Sequence, residues 1–132
     1  MLRVVLDTNV YISAALHGRQ AETALELASA GRMALITSPV LLAELEEKLR
    51  DKLLWNADRV GLFLTTVRDL ADVVEPDFRL SIVPDDDDDN RVLECAVAAQ
   101  ADLIVTFDRD LLRLRTHESI GIISPRELTF YP

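Results

Sequence analysis

One cysteine, Cys95, stands in the whole chain, so no disulfide can form within it. That usage fits a reducing cytoplasm, the expected location. Cys95 falls in an apolar helical pattern, the setting of an inert core thiol, a reactive thiol being the alternative. Histidine is nearly as scarce, with only His17 and His117, so nitrogen and sulfur cannot supply a full metal-ligand set. Long apolar runs are missing too: nothing approaches the roughly 20 residues that span a bilayer. The run before Asp7 is too short for a secretory signal. No Gly/Ser-rich or Pro-rich linker divides the chain and no internal repeat is visible, so residues 1–132 are expected to form one compact domain. At 49% hydrophobic content it can bury a substantial core.

Positive charge is also in short supply. Fourteen Lys and Arg face 23 Asp and Glu, for a net charge of −9. This weighs against simple electrostatic binding of nucleic acid, which needs cations to displace counterions from phosphate. Acidity can equally serve solubility or a basic partner. If several of the excess acids share a pocket with divalent cations, the bare count overstates the negative field that a phosphate would meet.

Two short apolar runs each lead to an aspartate. Val4-Val5-Leu6 runs into Asp7-Thr8-Asn9, and Leu103-Ile104-Val105-Thr106 leads to Asp108. Such β-branched runs without alternation read as strands buried on both faces of a parallel sheet. Further strands are expected at Met33 to Ile36, Val73-Val74, Ile82-Val83 and Ile120 to Ile123. Apolar residues recur at helical spacing over 20–30, with Gly31 as a stop, and over 57–70. Ser38-Pro39 and Ser124-Pro125 read as an N-cap followed by proline at the first helical position, the first opening a helix to about Arg50. Another helix is expected from near Asn90 to before Ala101, and a short one over 111–114. The alternation predicts a three-layer α/β/α sandwich with a largely parallel central sheet.

Ligands in such sheets gather outside the carboxyl ends of the strands, which is where Asp7 and Asp108 fall. Each also has a plainer account as a helix N-cap. Glu44 lies in the helix after the second strand, where it could simply pair with Lys48 at i+4, as Glu46 and Glu47 could pair with their own neighbours. Asp85 to Asp89 form an unbroken acid run before Asn90. A solvated loop or a favourable charge at a helix N-terminus accounts for such a run, and its spacing is not that of an EF-hand. Five adjacent carboxylates nevertheless repel, and a divalent cation would relieve them. Oxygen-only ligands favour Mg²⁺ or Mn²⁺ over Zn²⁺, and carboxylates around one or two such ions suit phosphodiester hydrolysis.

Asp7-Thr8-Asn9, Ser38-Pro39 with Glu44, the segment Asp89 to Ala96, and Ile104 to Asp108, taken in that order, resemble a PIN domain. The resemblance spans essentially the whole chain and is strongest to the subgroup of toxin components of toxin–antitoxin pairs, the VapC-like ribonucleases. It implies a Mg²⁺- or Mn²⁺-dependent endoribonuclease that holds one or two ions through Asp7, Glu44, Asp89 and Asp108. Asp86 is the alternate to Asp89, Asn90 a possible neutral ligand, and Asp110 a possible partner or substitute for Asp108. Asn9 and Thr106 would orient the carboxylates. It further implies an RNA substrate, a cognate antitoxin and a homodimer, with helices 20–30 and 57–70 as contact surfaces. Arg19, Arg91, Arg109 and Arg113 are candidate phosphate contacts, and Tyr11 and Trp55 candidate base-stacking rings, against plainer roles in surface charge and packing. Two rival readings are a metal-dependent phosphatase for a small substrate, and a non-catalytic module that binds a partner. The first usually carries a second acid where Asn9 stands, and the second would be expected to have lost the acids.

Overall fold

The computed structural model describes residues 1–84 and 86–130. Strands and helices follow one another as β1 (Leu2–Leu6), α1 (Thr8–Ala15), α2 (Arg19–Ser29), β2 (Met33–Thr37), α3 (Pro39–Asp51), α4 (Ala57–Leu70) and β3 (Ala71–Val73). The second half runs α5 (Asp87–Ala98), β4 (Leu103–Val105), α6 (Arg109–Leu114), β5 (Thr116–His117), β6 (Ile120–Ile123) and α7 (Pro125–Leu128). The strands form one sheet in the order β3-β2-β1-β4-β6-β5. Every neighbouring pair is parallel except β5 with β6.

Alternate residues of the central strands enter two separate cores. Val4, Leu6, Leu35, Leu103 and Val105 pack with residues of α1 to α4 and with Leu128 of α7. Val5, Ile36, Ile104 and Ile122 pack on the other face with Val92, Leu93, Cys95 and Ala96 of α5 and Leu111 of α6. This is the expected three-layer arrangement. Burial on both faces explains why these strands read as unbroken apolar runs. Among the described residues, no helix is long and apolar enough to cross a membrane.

The chain builds outward from β1 to β2 and β3 on one side, then returns to place β4 and β6 on the other. The order therefore reverses between β1 and β4, and the loops leaving those two strands diverge to opposite faces. A crevice opens outside their carboxyl ends, the preferred ligand site in open α/β sheets.

Three expectations need correction. Ile82 and Val83 are not a strand; their N–H groups donate to the side chain of Asn90. The strand expected at Val73-Val74 is instead Ala71–Val73. An unforeseen helix, α1, begins directly after Asp7, and β5 pairs antiparallel at the sheet edge.

Gly31 does end α2 as expected. Its N–H donates to the Ala28 carbonyl and that of Arg32 to the Leu27 carbonyl, with Gly31 at φ 73°. This paired closure demands the left-handed region, which costs a residue bearing a Cβ about 1 kcal/mol. Gly31→Ala is expected to lower unfolding free energy by about that amount in urea titrations.

Candidate metal centre

Asp7 leaves β1 with its N–H donating to the Val105 carbonyl at 3.0 Å, so its backbone continues the ladder toward β4. It occupies the N-cap position of α1, yet its side chain accepts no capping bond from that helix. Oδ2 instead accepts the Thr106 hydroxyl at 2.8 Å. Oδ1 takes a long contact of 3.4 Å from the Thr8 hydroxyl. Burial pushes the Asp7 carboxyl above its ordinary range, the Thr106 hydrogen bond and the Lys48 charge oppose that, and Asp108 adds to the rise.

Thr106 also accepts the Asp108 N–H at 2.9 Å. One buried hydroxyl thus ties together the segments leaving β1 and β4. Asp108 uses Oδ1 to cap α6 through the N–H groups of Asp110 and Leu111. The capping role foreseen for it is real and does not consume the whole carboxylate.

Asp89 enters from the first turn of α5. Asp86 caps that helix by accepting the Asp89 N–H at 3.1 Å. The Asp89 side chain is buried, and its Oδ2 has no hydrogen-bond partner. Oxygen atoms of Asp86, Asp89, Asp108 and Asp110 all lie within 4.8 Å of one another. Desolvation first, then Asp108, Asp86 and Asp7, push the Asp89 carboxyl up to about 8. A buried carboxylate oxygen with no donor, on a side chain grouped with three further acids, is unfavourable on its own, and a cation would offset that cost. The all-oxygen donor set is that of a hard divalent ion such as Mg²⁺ or Mn²⁺.

Glu44 lies outside that group of four. It is half-buried on α3 and forms the foreseen pair with Lys48 at 2.9 Å. Burial raises its carboxyl, Lys48 lowers it, and Asp88 and Asp7 raise it further. Lys48 also donates to Thr8 Oγ1 at 3.2 Å and to Asn9 Oδ1 at 3.1 Å. The sequence offered Lys48 only as an i+4 partner; nothing in it showed the lysine reaching across to α1.

Of the acids singled out from sequence, the structure therefore gathers Asp89 and Asp108. It brings to them Asp86 and Asp110, the two alternates the sequence offered, leaves Asp7 within electrostatic reach, and sets Glu44 apart with its lysine. Asp85 lies outside the described residues. Asn90 is not a ligand candidate. Its carboxamide oxygen accepts the Ile82 and Val83 N–H groups, and its nitrogen donates to the Val83 carbonyl at 3.0 Å.

Several surface readings fall as well. Tyr11 is buried and cannot stack on a base. Trp55 meets Phe63 edge-on, with Arg59 3.7 Å over its ring. Arg91 is largely buried and bonded to Glu94 at 2.7 Å and to the Leu80 carbonyl, whereas Arg113 stays exposed with one contact to Asp110. Cys95 is buried with its thiol pushed up to about 12 by desolvation, as befits a core thiol. Glu94, a buried acid that the sequence left unremarked, receives Arg91 and the Leu80 N–H and supports the strap before α5.

The profile of the family described as PIN domain matches residues 3–110. An uncharacterized protein of Methanocaldococcus jannaschii is 33% identical over 120 residues, covering 86% of this chain and 76% of that protein. Among solved structures, a chain of VapBC2 from Rickettsia felis, bound to a DNA fragment from its promoter, superposes with a TM-score of 0.67. It is 16% identical and covers 93% of this chain and 98% of that one. A protein of Pyrobaculum aerophilum superposes with a TM-score of 0.57 at 16% identity, covering 96% of this chain and 93% of that one. At such identities the structural likeness speaks for the fold alone.

The raised Asp89 carboxyl has a consequence for stability. Without metal, the folded chain keeps a proton there up to about pH 8, whereas an ordinary Asp loses it near 3.8. Between those values the folded state binds more protons, so metal-free stability falls as pH rises through the window. Urea unfolding in EDTA is expected to give a lower free energy at pH 8 than at pH 5, and Asp89→Asn is expected to flatten that slope.

Proposed function

We propose that this chain, which belongs to the PIN-domain family, is a Mg²⁺- or Mn²⁺-dependent endoribonuclease. Asp7, Glu44, Asp89 and Asp108 are the acids assigned to it, assisted by Asp86 and Asp110. The observation that carries the reading is buried Asp89, with one partnerless oxygen, grouped with Asp86, Asp108 and Asp110 at the point where strand order reverses. Packing and solubility do not account for Asp89, because burying an uncompensated carboxylate is costly.

A divalent cation held there would supply the positive charge that makes a water acidic and that steadies charge on a phosphate and its leaving oxygen. The chain's own part is to place and tune the acids. Thr106 aims Asp7 and leaves that carboxylate acceptor-only toward the crevice. Burial and the neighbouring acids push the Asp89 carboxyl up to about 8, so a cation bound there would displace its proton. The α6 cap fixes the rotamer of Asp108 while leaving Oδ2 free of a capping role. No side-chain nucleophile is required for such hydrolysis.

The family and the likeness to VapBC2 support a toxin held in check by an antitoxin. An antitoxin arginine reaching the acid pocket would compete with metal for the same carboxylates. A homodimer fits α4, where Leu62 is 72% exposed although Val60, Leu64 and Val67 are buried.

Millimolar Mn²⁺ is expected to raise the midpoint of thermal unfolding in the wild type and not in Asp89→Asn. Mn²⁺-dependent cleavage of RNA should fall at least about 100-fold in Asp7→Asn and in Asp108→Asn. Absence of a metal-dependent rise in the wild type, together with no cleavage, would favour the non-catalytic partner-binding reading. Thr106→Val keeps the volume and removes the hydroxyl, and is expected to weaken Mn²⁺ binding about 10- to 100-fold by calorimetry.

A further inference from the structure

The ammonium of Lys48 is held as a metal ion would be. Its three N–H donors meet three oxygens, Glu44 Oε1 at 2.9 Å, Thr8 Oγ1 at 3.2 Å and Asn9 Oδ1 at 3.1 Å. Lysine has only three such donors, so the head group is saturated and fixed between α3 and the start of α1. It has none left over to serve as a swinging phosphate clamp. The side chain is largely withdrawn from solvent, 19% exposed, beside a Glu44 side chain at 15%. Its charge acts on both Glu44 and Asp7.

The other end of the crevice differs. Asp86, Asp89 and Asp108 have no cationic side chain bonded to them among the described residues, and Asp110 has only the exposed Arg113 at 3.2 Å. One end of the acid site is therefore already neutralised from within the chain, and the other is not.

We infer that Lys48 stands in for a second metal ion, so that the centre takes a single divalent cation, at the Asp86, Asp89, Asp108 and Asp110 end. The inference rests on the metal-centre reading and narrows it. Glu44 then acts by holding the ammonium that balances Asp7, and a second divalent ion is kept out by like charge over the oxygens it would need. Lys48 is a positioning residue in this account, and metal stoichiometry is the property it sets. Lys48 and Glu44 line an open groove of about 470 Å³ with Val40, Ala43, Glu47, Asp51, Lys52 and Asp88.

The test is a count of bound Mn²⁺ per chain, from the loss of the free-ion electron paramagnetic resonance signal. It uses the full-length protein, with circular dichroism to confirm folding. The wild type is expected to bind one ion, and Lys48→Met, which keeps the aliphatic stem, is expected to bind two. Lys48→Gln, which keeps a polar head without the charge, should also bind two and guards against a folding defect in the methionine variant. Lys48→Met combined with Glu44→Gln should return to one. Two ions in the wild type, or one in both folded single variants, would overturn the inference while leaving the metal centre standing. No ion in any of these proteins would overturn the metal-centre reading, and this inference with it.

Discussion

The geometry of the crevice hangs on the hydroxyl of Thr106. It donates to Asp7 and accepts from the Asp108 amide, so the end of β1 and the end of β4 are joined by one oxygen. Thr106 is fully buried and its bond to Asp7 lies where water cannot compete for it. It also turns Asp7 away from the duty its position would otherwise give it. An aspartate at a helix N-cap normally bonds back to its own helix, and this one does not. The sheet brings the strand ends together, and a single threonine decides where the carboxylate points.

Around that bond, the chain separates acids by environment. Asp108 is partly committed to the α6 cap, Asp7 to Thr106, and Glu44 to Lys48. Asp89 alone keeps a buried oxygen with nothing to accept from. Burial first, and then the repulsion of its neighbours, lift its carboxyl, and a cation would offset both, so the pocket's discomfort without metal and its affinity for metal have one origin. The net charge of −9 is in part the visible sum of this arrangement.

The features legible in the sequence were those with a local cause. Doubly buried strands such as Val4 to Leu6 and Leu103 to Val105 announced themselves through uninterrupted apolar residues. Ser38, Asn56 and Ser124 cap their helices through the side chain, and two of the three stand before the prolines that marked helix starts. What escaped notice depended on distant partners. The residues of α1, among them Val10, Tyr11 and Ile12, carry no strong helical preference, and burial against α2 and α3 holds them in a helix. β3 and β5 are short edge strands that expose most of their side chains, so the sequence pattern starts β3 two residues late and nothing in it betrays β5. In the acid site, the order of Asp7, Glu44, Asp89 and Asp108 could be read along the chain. Which of the open alternatives joins them, Asp86 and Asp110 but not Asn90, could not, because it depends on which side chains the loop before α5 consumes.

That loop sets a length as well as a shape. Asn90 grips the backbone at Ile82 and Val83 with three hydrogen bonds, and Arg91 and Glu94 fasten the chain again at Leu80. The acid run is thus bracketed, tied down before its first aspartate and immediately after its last. A run of identical residues would ordinarily be free to slide by one position, any aspartate serving as well as the next. Here the brackets give each position an address, and the tract behaves as a ruler in which residue number, not composition, determines which carboxylate faces the crevice.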